Sequence, residues 1–148
     1  MMLSKYFSLR EMTKSQTAER KGIRNMPTGE HIESLSLLCE NILDPVREEF
    51  ATPFTPSSGY RSPALCKEIG SSVNSQHAKG EAADFEVPTV SNYDLAQWIV
   101  VNLDFDQLIL EYYDEDDPTS GWVHCSYKKT GNRNQVLNYD GKRYRNGL

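Results

Sequence analysis

The chain has 148 residues, of which 38% are hydrophobic and 25% charged, with a formal net charge of −5. A chain of this length buries one core and leaves no room for a second folded domain, so residues 1–148 are expected to form a single domain. The same balance excludes a disordered chain or one with a membrane span, for which a run of roughly 18 apolar residues is needed, and a pI near 5.2 argues against a nucleic-acid partner.

The opening "MMLSKYFSLREMTKSQTAERKG" lacks the apolar run of about 7–15 residues that precedes a signal cleavage site, so no signal peptide is expected and the chain is placed in the cytoplasm where it is made. Cys39, Cys66 and Cys125 are odd in number and show no CxxC pairing, which predicts buried thiols and no disulfide framework. Charge is uneven: residues 128–148 carry Lys128, Lys129, Arg133, Lys142, Arg143 and Arg145 against Asp140 alone. This basic C-terminal hairpin either faces water or rests on an anionic polymer.

In chain order, a short helix is expected at about Leu9–Thr13, followed by a long surface connection. From Thr28 to Phe50 the residues Ile32, Leu35, Leu38, Ile42, Val46 and Phe50 recur at steps of three and four, a buried helical stripe with Thr28 as N-cap and a kink at Pro45. "ATPFTPSSGYRSPALCKEIGS" predicts an edge strand around Phe54–Ser57, a turn at Ser58-Gly59, and a helix capped by Ser62 with Pro63 at its first position and Gly70 as its stop. "ADFEV" alternates as a strand, and Ser91 with Asp94 forms a capping box for a helix over 92–103. "FDQLILEYY" at 105–113 and "WVHCSY" at 122–127 should pair as an antiparallel hairpin across an acidic loop. "NYDGKRY" suggests a last hairpin with Asp140-Gly141 in a type I′ turn. Helices first and a small, mostly antiparallel sheet later give an α+β class.

The chemistry concentrates in "SQHAKGEAADF", residues 75–85. His77 and Asp84 flank a turn at Lys79-Gly80, where glycine permits tight geometry, and Ala82 and Ala83 lead into a crowded strand. With His124 of "WVHCSY" they supply three nitrogen or oxygen ligands and no thiolate, a set suited to a zinc ion that keeps its fourth position for water. The remaining histidine, His31, fits an exposed position on the early helix. Cys125 alternates away from His124, Trp98 reads as core, Trp122 reads as lining a cleft, and Tyr60 and Tyr112 are candidates for stacking on a substrate.

The string Ser75-x-His77-x-x-Gly80-x-Ala82-x-Asp84, followed by Trp122-Val123-His124, resembles the zinc D-Ala-D-Ala carboxypeptidase family (peptidase family M15), which also holds vancomycin-resistance dipeptidases and phage endolysins. The likeness runs from "YFSLREMTKSQTAERKGIRNMP" through "SGYRSPAL" to "WVHCSY" and is similar to the small branch common in phages. It implies a hedgehog/D,D-peptidase-like fold with helices packed on one side of the sheet. It also implies one zinc ion on His77, Asp84 and His124, and peptidoglycan stem or cross-link peptides as substrate. Arg61 in "SGYRSPAL" matches the family's substrate-contacting arginine, suited to a carboxylate or an oxyanion, the alternative being a surface ion pair. Ser75 matches a substrate-contacting position, with a loop-capping hydroxyl as the alternative.

Many relatives carry a glutamate as general base three residues before the last histidine; here that residue is Gly121. Strand alternation offers Glu111 in its place, and a hairpin symmetric about Asp117-Pro118 sets Glu111 directly opposite His124. "DQLI-x-E" in the phage-type branch matches Asp106 to Glu111. The alternative for Glu111 is to orient a ligand histidine, while Asp114, Glu115, Asp116 and Asp117 read as a solvated loop. The sequence thus predicts a monomeric zinc peptidoglycan peptidase, a phage or prophage lysis enzyme held in the host cytoplasm until released to the wall or carried in a virion. The rival is a zinc-stabilised binding or structural module of a phage particle without catalysis.

Overall fold

A computed structural model of the chain describes residues 1–148. The first helix, α1 (Leu9–Thr13), begins at a full capping box: the Ser8 side chain accepts from the Glu11 N–H while the Glu11 carboxylate accepts from the Ser8 N–H. The expected long connection instead holds a second helix, α2 (Gln16–Lys21), capped by Ser15 and stopped at Gly22 in the left-handed region. Polar composition hid α2, because six residues are too few for an apolar stripe to show.

The periodic run forms one continuous rod made of α3 (Gly29–Leu38), a π-helical turn (Cys39–Leu43) and α4 (Asp44–Phe50). Thr28 is the N-cap by position, but its hydroxyl makes no capping bond. Where a kink was expected, the turn before Pro45 widens and the Asp44 N–H donates to the Cys39 carbonyl. Pro45 has no N–H to give and its ring crowds the preceding turn, so a widened turn accommodates both faults without breaking the rod.

No strand forms at Phe54–Ser57. Pro53 and Pro56 cannot donate to a ladder, and only the next residue, Ser58, bridges to a strand, at Asp84. Ser62 and Pro63 open α5 (Pro63–Glu68) as predicted, the Ser62 hydroxyl accepting from the Leu65 N–H. A 3-10 turn at Gln76–Lys79 leads into β1 (Ala82–Phe85), and α6 (Asn92–Asn102) follows with Ser91 as its cap.

Four further strands complete the sheet: β2 (Gln107–Glu111), β3 (Trp122–Ser126), β4 (Gln135–Tyr139) and β5 (Tyr144–Asn146). Their order is β1-β3-β2-β4-β5, antiparallel throughout except for the parallel β2–β4 pair. In the last hairpin Tyr139 pairs with Tyr144, so the loop is Asp140–Arg143, and only Gly141 has a positive φ. A type I′ turn needs two such residues; here the Asp140 carboxylate instead accepts from the N–H groups of Lys142 and Arg143.

Alternation along the strands separates two chemistries. Ala83, Phe85, Leu108, Leu110, Val123 and Cys125 form the inner face, sealed with Leu35, Leu38 and Ile42 of the rod and Leu95 and Ile99 of α6 into one core. Each buried Leu, Ile, Val or Phe side chain among them contributes about 1.5–3 kcal/mol of transfer free energy. The opposite face carries Asp84, His124 and Glu111. All three cysteines are free and buried, as expected, Trp98 packs on the core against Phe50, and no helix is long and apolar enough to cross a membrane.

Candidate metal centre

Each of the three predicted ligands is placed by a different backbone device. Asp84 is bracketed in the sheet: it pairs with His124 on one side and exchanges backbone hydrogen bonds with Ser57 and Ser58 on the other. His124 stands on β3, directly across from it. His77 sits on the 3-10 turn, whose N–H is capped by Ser75 at 3.1 Å and whose end is Gly80 at φ 72°. A side chain at Gly80 would run into the His31 carbonyl of α3, so glycine here serves both a left-handed backbone and a close approach.

The side chains converge. One oxygen of Asp84, Oδ1, lies 2.9 Å from His124 Nδ1 and 3.3 Å from His77 Nε2, and the two imidazole centroids are 5.1 Å apart. His77 Nδ1 donates to the Gly59 carbonyl at 2.7 Å, which leaves Nε2 as the lone-pair nitrogen facing Asp84. Burial holds the His77 imidazole below its ordinary pKa, in the neutral form a metal requires. Burial pushes the Asp84 carboxyl up, but the hydrogen bond from His124 and the adjacent His77 imidazole outweigh it and keep the group well below the carboxylate range.

These three donor atoms lie within 4.8 Å of one another. Two ligand atoms on a tetrahedral ion at about 2.0–2.1 Å stand about 3.3 Å apart, which is the spacing found between His77 and Asp84. The nitrogen and oxygen donors, a neutral imidazole and an ionised carboxylate fit a divalent cation, and His77, Asp84 and His124 could hold one.

Arg61 is no surface ion pair: its Nη2 reaches Asp84 Oδ2 at 3.1 Å and its Nε donates to Ser58 Oγ at 2.8 Å, with the side chain mostly buried. The Ser75 oxygen is engaged as the turn's cap. Glu111 does not stand opposite His124; it pairs with Trp122, and Ile109 faces His124. The hairpin is centred one residue earlier than expected, a slip of two in register, and because side chains alternate with period two Glu111 stays on the metal face as a diagonal neighbour. Burial, and then the charge of Asp84, raise the Glu111 carboxyl above its ordinary 4.5.

Gly121, where many relatives carry a glutamate, is closed to one. Its φ is 68°, and a Cβ there would fall onto the Glu111 carbonyl oxygen. His31 is half-buried and not exposed, its ring near Tyr60 and its Nδ1 without a partner. Tyr60 is buried and cannot serve as an open stacking surface, whereas Tyr112 is exposed and touches Trp122. The acidic loop at 114–117 is exposed as expected.

Sequence reasoning missed three supports. Asn25 donates to the Thr13 and Tyr60 carbonyls and accepts from the Ser62 N–H, clamping the backbone on both sides of Arg61. Asp106, 1% exposed, accepts from Gln76 Nε2 and from Nε and Nη2 of Arg133, which ties the His77 turn to the segment entering β4. The Gly59 carbonyl accepts the hydrogen bond from His77 Nδ1, and Gly59 lies against the Met12 carbonyl with no room for a side chain. Only the glycine in "SGYR" left a trace in the sequence.

An α+β fold with a two-histidine, one-aspartate cluster on one sheet face is suited to a metal-dependent hydrolase. The sequence matches the family described as Peptidase M15 over residues 5–126, and the chain belongs to that family. It is by family a peptidase. No curated protein matches the sequence.

Proposed function

We propose that this chain is a zinc-dependent peptidoglycan peptidase, a D,D-carboxypeptidase or endopeptidase acting on stem or cross-link peptides, and that it works as a phage or prophage cell-wall lytic enzyme. The observation that carries the reading is the convergence of one donor atom each from His77, Asp84 and His124 within 4.8 Å of one another, beside a mostly buried arginine. A bound zinc ion supplies Lewis acidity and lowers the pKa of its water.

The chain's own groups do the rest. Glu111, with its carboxyl raised by burial, takes a proton from the attacking water on a carboxylate oxygen and returns it to the leaving amine. Arg61 reaches the face from the side of Asp84, where its remaining N–H groups can stabilise a developing oxyanion or orient a substrate carboxylate. Ser75 holds the His77 turn, and its hydroxyl hydrogen is left to meet substrate.

The test is digestion of purified sacculi by the native and Glu111→Gln proteins, with zinc content measured in both and the released ends identified by mass spectrometry. Peptide-bond cleavage by the native protein and its loss in Glu111→Gln at full zinc occupancy are expected. Equal activity would remove Glu111 as the base. No cleavage by either, with zinc bound, would instead favour a metal-stabilised binding module.

A further inference from the structure

One row of side chains crosses the metal face of the sheet and continues past it. Trp122 on β3 pairs with Glu111 on β2, Glu111 with Tyr139 on β4, and Tyr139 with Tyr144 on β5. Partners in register share a face, so the proposed base sits between a tryptophan and two tyrosines. The last two belong to the C-terminal hairpin, which lies beyond the residues the family match covers.

Tyr112 closes the gap over Glu111. It follows β2 with φ 57°, a backbone conformation that costs a bulky residue about 1–3 kcal/mol and is kept only where the surroundings enforce it. That turn places its ring 5.1 Å from Trp122 and 5.5 Å from Tyr139, and Tyr139 stacks on Tyr144 at 4.3 Å. Gly141, at the tip of the hairpin, passes so close that a Cβ would press on the Tyr112 ring. The result is an unbroken aromatic strip, open to solvent at Tyr112 and at Tyr144, which is 59% exposed. The Trp122 indole N–H beside it has no hydrogen-bond partner in the chain.

From this strip we infer that the chain has an accessory subsite for the glycan strand, in which Tyr112, Tyr139 and Tyr144 stack on N-acetylated sugar rings while the peptide they carry lies on the metal face. The inference rests on the peptidoglycan reading. Continuity decides the occupant: the strip begins at the proposed base, and in peptidoglycan every stem peptide is covalently joined to a sugar, so a peptide held at Glu111 brings a sugar to the adjoining surface at high effective concentration. Shape agrees. The strip is an open platform spanning about three inter-strand steps of about 4.8 Å, suited to flat rings. The negative faces of the aromatic rings attract the polarised C–H groups of a sugar, and the tyrosine hydroxyls add polar contacts.

The experiment compares a stem pentapeptide with the same pentapeptide on its N-acetylglucosaminyl-N-acetylmuramyl disaccharide. The native protein is expected to show a KM about five- to tenfold lower for the sugar-bearing substrate. Tyr144→Ala should reduce that difference while leaving the KM for the bare peptide and the zinc content near native and lowering the melting temperature by only a few degrees; Tyr144→Phe should retain it. Equal KM values in the native protein, or an equal change for both substrates in Tyr144→Ala, would overturn the inference. Titrating the native protein with the free disaccharide, followed by NMR of the aromatic side chains, separates this subsite from the peptidase reading. If neither substrate is cleaved, the carboxypeptidase reading falls, and shifts at Tyr139 and Tyr144 would uphold the subsite while their absence would sink it.

Discussion

The two ends of the sheet solve opposite problems. At the β1–β3 end a carboxylate and two imidazoles are drawn almost out of solvent, and Asp84 and His77 are each held more than once: Asp84 by His124, Arg61 and the Ser57–Ser58 backbone, His77 by Ser75 and Gly59. At the β4–β5 end the strand residues are half-buried or exposed, and rings rest on rings. Burying charge is costly unless every polar atom is paired, so the first end tolerates almost no change. The second end meets water and can vary cheaply.

The hardest blow to that contrast is struck at Asp84. Asp84→Ala removes the one oxygen shared by both imidazoles and leaves Arg61 without its partner. Bound metal, measured by elemental analysis, is expected to vanish, and activity to fall by more than about 100-fold, beyond the loss seen for residues that merely orient a ligand. Retention of one equivalent of metal would show that the cluster is not the site.

Gly121→Glu comes next and tests why the family's glutamate is missing. The new side chain would meet the Glu111 carbonyl and force a non-glycine residue into φ 68°. A destabilisation of about 3 kcal/mol or more is expected in urea unfolding, with no gain in activity. A stable, more active variant would make Glu111 dispensable as the base.

A smaller effect, readable through pH, belongs to Asp106. Burial pushes its carboxyl up, but the hydrogen bonds from Arg133 and Gln76 win and hold it below its ordinary 3.8. A depressed folded pKa stabilises fully above the unfolded value, and that contribution is lost as pH falls through the folded one. Asp106→Asn should therefore cost about 2–3 kcal/mol at pH 7, with the gap from native protein narrowing once pH drops below 3.8. A gap constant down to pH 2 would mean that the charge is not what matters.

The same two ends differ in how well the sequence foretold them. His77, Asp84 and His124 could be named because nitrogen and oxygen donors recur in a string, Ser75-x-His77-x-x-Gly80-x-Ala82-x-Asp84 followed by Trp122-Val123-His124, that resembles a known family, and Gly80 marked the turn between the first two. Period-two alternation put Glu111 on the correct face even though the register was misjudged by two, since face depends on parity and register on loop geometry. What stayed hidden depended on long-range partners. Asn25 looks like any loop amide until Thr13, Tyr60 and Ser62 are seen around it, and nothing local in "NRNQVLNY" reveals that β4 lies parallel to β2. The strand expected at 54–57 failed for a local reason: Pro53 before it and Pro56 within it have no N–H to give a ladder.

The mildest expected change is at the exposed end. Tyr144 is stacked on Tyr139 but covers little else, so truncation to alanine removes one cross-strand aromatic pair, worth about 0.5–1 kcal/mol. Metal content should not move, because the parallel β2–β4 ladder and the Arg133–Asp106 pair anchor the hairpin without it. Should Tyr144→Ala instead cost as much stability as Asp106→Asn, the strip would be a structural brace and the division between a fixed end and a free end would fail. A small loss of stability with a selective loss of sugar-dependent affinity would mean that the free end is kept aromatic for what it touches outside the chain.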